Sequence, residues 1–228
     1  MIKSLTEFNE SKFRGIVLIL DFGLLTKIVS LIFFDASVFL FLYISEKYNK
    51  ALERYELSKT YFSQLDSLLP KIRGLSTTYN NIALVQIELK NYNSALENIT
   101  KAYNLRVNNN FNPIDIAHSF KSFSELYFIW NMQEKGNLYL AKTDSINRMI
   151  QDEKLSTKFQ DYDDLTFKLL DNYLGNCHEY KGEYLFNQKR YNQALEAYKT
   201  ASSHYRDFTF QKVSLINKKA NVHYMLGD

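Results

Sequence analysis

Small and large apolar side chains recur along this chain with a helical period, and they recur as a word. Tyr48-Asn49-Lys50-Ala51-Leu52-Glu53, Tyr92-Asn93-Ser94-Ala95-Leu96-Glu97 and Tyr191-Asn192-Gln193-Ala194-Leu195-Glu196 differ at one position. Four residues after each Ala comes a large side chain (Tyr55, Ile99, Tyr198). Seven after it comes a small one (Ser58, Ala102, Ala201). The i, i+4, i+7 spacing puts all three on one face of a helix. A small residue there admits a neighbouring backbone, and the large one fills the space beside it. Upstream of each word lies a second amphipathic segment. One carries Ala83, one Gly182 and the last Ala220, each twelve positions before the Ala of the word or before where that Ala would fall.

The pattern predicts helices over Tyr48–Leu69 (ended by Pro70), Ser76–Lys90, Tyr92–Val107, Asp115–Gln133 and Asn137–Gln151. It further predicts one long helix, or two joined near Gly175, over Ser156–Gln188, then helices over Asn192–Tyr205 and Phe208–Leu226. Asn108 to Pro113 reads as a loop. Between the second and third words a worn copy is expected at Gly136-Asn137-Leu138-Tyr139-Leu140-Ala141, with Ala141 as its small residue. Gly227-Asp228 falls where the turn before another word is expected and no word follows, so the sequence reads as truncated.

A word repeated at tens of residues means a repeat architecture. The helix, short turn, helix unit resembles the tetratricopeptide repeat. Ala83, Tyr92, Ala95, Ile99 and Ala102 fill that family's small, aromatic, Ala, large and Ala places in one copy. Gly182, Tyr191, Ala194, Tyr198 and Ala201 fill them in another, and Tyr48, Ala51 and Tyr55 fill part of a third. Phe39 stands where the first copy should be small, the closing proline is absent, and the spacings exceed the family's roughly 34 residues. The resemblance implies an all-α fold: an α-solenoid, a right-handed superhelix of about four antiparallel helix-turn-helix repeats. It also implies a concave groove lined by the first helices. Candidate groove residues are Asn80, Leu84 and Ile87, then Glu179, Glu183 and Phe186, then Asn217, Asn221 and Tyr224. Amide and apolar side chains side by side suit a bound peptide or partner helix. The long-spaced repeats, with Tyr79-Asn80-Asn81-Ile82 opening one, are similar to those of bacterial signalling proteins, in which they form a sensory part. The lysines and asparagines that grip C-terminal carboxylates in one subset of the family are not reproduced.

Residues 1–45 break the pattern. Between Gly15 and Ile44 the composition turns strongly apolar, interrupted by Asp21, Lys27 and Asp35. No charge-free window reaches about 18 residues. Each central Asp or Lys costs about 2.5–3.5 kcal/mol on insertion, which the Leu, Ile, Val and Phe of Gly15–Phe34 roughly offset. Two readings stand. Residues 15–44 anchor the chain in a membrane, or Gly15–Leu31 caps the stack and Ile32–Ile44 is the first helix of repeat one. Residues 46–228 form the repeat domain in either case. Membrane-associated, periplasmic and cytoplasmic locations all stay open.

Composition narrows the function. Seven Gly and two Pro in 228 residues are too few for a turn-rich β protein. Lysines and arginines exceed acidic residues by three, so no electrostatic argument for nucleic acid exists. The single cysteine, Cys177, makes no internal disulfide. Cys177 and His178 are adjacent, but helical neighbours point about 100° apart and do not clamp a metal. His118, His204 and His223 stand alone in sequence. Asp161, Asp163 and Asp164 lack the glycine and closing glutamate of a calcium loop. No phosphate loop or nucleophile elbow occurs. The expectation is a non-catalytic interaction scaffold without metal or cofactor. Its partner would be a protein or peptide in the groove, its role sensory or docking. A membrane-tethered periplasmic accessory protein is the alternative, and an enzyme a distant third.

Overall fold

The computed structural model describes residues 48–153, 164–205 and 208–227. Among them are eight helices and no strand: α1 Tyr48–Ser63, α2 Leu68–Glu88, α3 Tyr92–Asn108, α4 Pro113–Ile129, α5 Gln133–Glu153, α6 Asp164–Asn187, α7 Tyr191–His204 and α8 Thr209–Leu226. The chain divides into two compact units, Met1–Arg54 and Tyr55–Asp228. Of the first, the described residues are the opening turns of α1, where Ala51 is fully buried. The apolar segment 1–45, with Phe39, lies outside the described residues. No described helix is long and apolar enough to cross a membrane.

In the second unit each helix from α2 onward packs against the next, and α4 also touches α2 and α6. The turns explain the order. Lys90, Asn131 and Lys189 adopt left-handed backbone, at φ of 60°, 59° and 59°. After each, the same two hydrogen bonds close the preceding helix. Asn91 N–H donates to Gln86 O (2.8 Å), Met132 N–H to Tyr127 O (2.8 Å) and Arg190 N–H to Leu185 O (2.9 Å). The turn residues themselves donate to Ile87, Phe128 and Phe186. This is the Schellman pattern, which satisfies carbonyls that a helix end leaves open. The next helix then starts in the same place. Ala95, Gly136 and Ala194, each five residues past the left-handed residue, donate the helix's first backbone bond to Asn91, Met132 and Arg190.

That register corrects the worn copy. Its small residue is Gly136, not Ala141. Ala141 lies five residues on, about 140° around the helix, and is exposed. The buried line of α5 continues through Thr143, Asn147 and Ile150. Tyr139 joins a ring cluster with Phe123 (4.6 Å between centroids), Tyr127 and Phe120.

Glycines inside helices mark where rings enter. A side chain on Gly74 would overlap the ring of Phe62, on Gly136 that of Phe128, on Gly175 that of Tyr205, and on Gly182 that of Tyr198. Of the two readings for the stretch around Gly175, the single helix holds over the described residues, because α6 runs through Gly175 and takes the Tyr205 ring there. One boundary expectation fails: Gly74 lies inside α2, which begins eight residues before Ser76. Pro70 opens α2 rather than closing α1, since proline is tolerated in a first helical turn, where its missing N–H has no partner to lose.

The core follows the words. Ala83, Ala95, Ile99, Phe123 and Leu126 form one cluster. Leu185, Ala194, Tyr198, Ala201, Tyr205, Leu215 and Val222 form another. Ala102 is fully buried. Tyr92 lies against Trp130 and Tyr191 against Phe186. Tyr48 is half-buried and Tyr55 buried. Ala220 keeps the register of Ala83 and Gly182, yet it is exposed. No described helix lies over it.

Candidate functional site

Polar side chains of α2, α3, α4, α6 and α8 gather into two groups of different character. In the first, Arg106 reaches from α3 between α2 and α4 and is only 2% exposed. Its Nη1 donates to Ser119 Oγ at 2.7 Å, and Nη2 lies 3.3 Å from His118 Nδ1. With the Asn80 amide turned so that its oxygen faces the guanidinium, Oδ1 accepts from Nη1 at 2.9 Å and Nη2 at 3.0 Å. Nε has no hydrogen-bond partner. Among the described residues no carboxylate lies within ion-pair distance of Arg106. Burial lowers its pKa, and Asp115 opposes that. Burial also holds His118 well below the ordinary imidazole value, with the cations of Lys121 and Arg106 adding to it. His118 stacks on Tyr173 at 5.1 Å between centroids. The group is a largely buried polar plug.

The second group is open. On α6, Glu179 and Glu183 both pair with Lys218 of α8. Glu179 also accepts from Tyr205 Oη at 2.8 Å, whose hydroxyl further bonds Asn176. Burial pulls Lys218 down, but the carboxylates of Glu183 and Glu179 outweigh it and raise its pKa. Beside this clamp lies a cavity of about 270 Å³ lined by Glu183, Phe186, Asn187, Tyr198, Lys218 and Asn221. Phe186 and Tyr198 supply apolar wall, while the two amides and the ion pair supply hydrogen-bonding rim.

Of the candidate groove residues, Glu183, Phe186 and Asn221 are brought together at the cavity, and Glu179 stands behind it in the clamp. Asn217 and Tyr224 are exposed on α8 away from it. Asn80 and Ile87 are buried and Leu84 is half-buried in the first cluster. They form no groove, because α3 and α4 close over that face of α2. The sequence reading missed Lys218 and Asn187, each one residue along the helix from a candidate, Asn217 and Phe186, and so turned about 100° from it. It also missed Arg106, whose place repeats that of Tyr205, each fourteen residues after the first Tyr of its word.

Three features bear on chemistry. Lys121 and Glu125 form a buried pair at 3.2 Å, in which burial raises the glutamate's pKa against the pull of Lys121. Cys177 is fully buried, and desolvation with Glu125 nearby pushes its thiol up to about 12, so it is no nucleophile at neutral pH. His178 stacks on His204 at 5.8 Å, and His204 Nδ1 lies 3.2 Å from Asp171 Oδ1. The sequence treated these histidines as solitary. Parallel rings do not converge on one ion, and among the described residues no three His, Cys, Asp or Glu side chains gather for a metal. Asp161 and Asp163 lie outside the described residues.

No protein-family model matches the chain, and no curated protein matches it.

Proposed function

We propose that the chain is a non-catalytic scaffold for protein contact. In this reading it is a right-handed solenoid of about four tetratricopeptide-like hairpins, serving as the docking or sensory region of a bacterial signalling protein. The three identical turns and the shared start of α3, α5 and α7 support the repeat reading. The cavity at Phe186, Tyr198 and Asn221 carries the binding reading. At about 270 Å³ it falls just short of the roughly 300–1,000 Å³ of sites that bury a drug-sized ligand or cofactor. It suits one apolar side chain of a peptide, with Asn187 and Asn221 free to meet that peptide's backbone amides. The Glu179–Lys218–Glu183 clamp holds α6 and α8 at a fixed separation beside it.

The test is selection of peptides from a random display library on the immobilised chain, followed by titration of the enriched peptide. Asn221→Arg, which fills the cavity from an exposed position, is expected to weaken binding at least tenfold. A library that enriches nothing over the Asn221→Arg chain overturns the reading. A membrane-tethered arrangement rests on the apolar run of residues 15–44 alone. Recovery of the full chain in the soluble fraction without detergent excludes it.

A further inference from the structure

The cavity beside the clamp carries a charge preference as well as a shape. Lys218 lies three residues after Leu215 and four before Val222, both fully buried, so the cavity opens between α6 and α8 and not on the outward face of α8. Its ring wall has a counterpart one hairpin earlier. Phe128, three residues before the left-handed Asn131, is buried and meets the Tyr184 ring at 6.0 Å. Phe186, three before the left-handed Lys189, is half-buried and faces the cavity instead. The two carboxylates of the clamp also differ. Glu179 is fully engaged: one oxygen accepts from Lys218 and the other from Tyr205 Oη, and its side chain is 14% exposed. Glu183 is 35% exposed and gives Oε1 to Lys218, while its Oε2 meets no donor among the described residues. A third carboxylate stands close by. Glu125 holds the place on α4 that Glu183 holds on α6, six residues before the left-handed residue. Burial raises its pKa first; Lys121 opposes, and Glu179 and Glu183 add to the rise. Against these three carboxylates stand two cations, Lys121 and Lys218. The cavity is the open end of a locally acidic cluster in a chain whose net charge is +3.

We propose that the peptide docked here carries a lysine or arginine within two positions of the apolar residue that fills the cavity, with its charged head on Glu183 Oε2 and its methylenes against the Phe186 and Tyr198 rings. This rests on the peptide-docking reading above and adds the chemistry of the partner. The rings favour such a side chain in two ways. Aliphatic stems pack along apolar surface, and cations are drawn to ring faces. An acidic residue would face Glu183 and find Lys218 already engaged by two carboxylates. A wholly apolar neighbour would strip water from Oε2 and return no hydrogen bond. A cationic donor both completes Glu183 and offsets the excess negative charge.

Selection from a random peptide display library, run in parallel on the full chain and on Glu183→Gln, tests this. The pool from the chain is expected to be enriched in Lys or Arg within two positions of an apolar residue, and the pool from Glu183→Gln in the apolar residue alone. The peptide enriched on the chain is then titrated by fluorescence anisotropy. It should bind the chain about fivefold more tightly than Glu183→Gln, and the advantage should shrink between about 50 and 300 mM NaCl. Lys218→Met leaves both carboxylates without their cation and should tighten binding, whereas it would release a peptide held through an acidic residue. Circular dichroism checks that both variants fold. A pool rich in apolar residues without a basic excess, equal binding by Glu183→Gln, or weaker binding by Lys218→Met overturns this proposal and leaves peptide docking standing. A library that enriches nothing overturns both.

Discussion

Hairpins α2–α3 and α6–α7 share a word, a turn and a buried alanine, yet their inner faces are opposites. In the first, Asn80, Arg106, Ser119 and His118 interlock between α2, α3 and α4. In the second, Glu179, Glu183 and Lys218 interlock at the rim of a cavity. The alanines therefore set how a hairpin nests, while positions outside the word decide whether its inner face becomes core or surface. A buried cation leans on its hydrogen bonds, since each unmet partner inside costs about 1–3 kcal/mol, and Arg106 already leaves its Nε without one. A half-exposed pair is worth about 1 kcal/mol or less.

The largest expected effect follows directly. Arg106→Ala removes packed methylenes and strands Asn80 and Ser119, and should destabilise the chain by about 3 kcal/mol. Lys218→Met, at the equivalent clamp, should cost about 1 kcal/mol or less. Urea denaturation of the two variants compares them, and equal losses would abolish the distinction between plug and clamp.

Next is pH. Burial, with His204 beside it, holds His178 at about 4 against an ordinary 6.5. Between those values the unfolded chain binds a proton at this site that the folded chain excludes. Stability should therefore fall as pH drops from 6.5 to about 4 and level off below, by on the order of 2–3 kcal/mol. His118, also held low by burial, acts in the same sense, and burial of Glu125 in the opposite one. The informative quantity is accordingly the difference between the chain and His178→Gln, which should lack only the share of the acid-side loss that His178 contributes. Amide exchange should place that loss in α6 and α7 rather than α2 and α3.

Gly182→Ala comes third. Its new Cβ would lie 2.5 Å from Tyr198 Cε1, and this overpacking should cost about 1–3 kcal/mol. The gain in helix propensity, roughly 1 kcal/mol, offsets only part of it. Thermal unfolding reads the net loss. Smallest is Lys90→Gly, which relieves a left-handed non-glycine residue and should raise stability by about 0.5–1 kcal/mol. Lys189→Gly should match it if the two turns are equivalent.

The same contrast explains what could be read from the chain alone. The words gave the helices and their buried alanines, because a small residue at a tight crossing leaves a periodic mark. Gly136 escaped because its hairpin has lost the word and keeps only the turn, whose left-handed residue there is asparagine and elsewhere lysine. Neither type announces positive φ as glycine would. Arg106 was invisible because burial of an arginine depends on partners from α2 and α4 that no local spacing records. The groove candidates were placed by an even register, yet of the nine only Glu183, Phe186 and Asn221 line the cavity. Whether those positions meet solvent is set by how closely the neighbouring helices approach, and that depends on side chains far apart in the chain, as Glu179 and Lys218 are at 39 residues.

The four rings seated on helical glycines carry a consequence for how the protein changes over time. A glycine under a ring is a lock whose key sits on another helix, so neither can change alone without a clash or a void. Tyr198 can shrink only by leaving a hole over Gly182, and Gly182 can grow only after Tyr198 has shrunk. Drift at such a pair must pass through a poorly packed intermediate. These pairs should change together or not at all, while the exposed residues around the cavity are free to be retuned for a new partner.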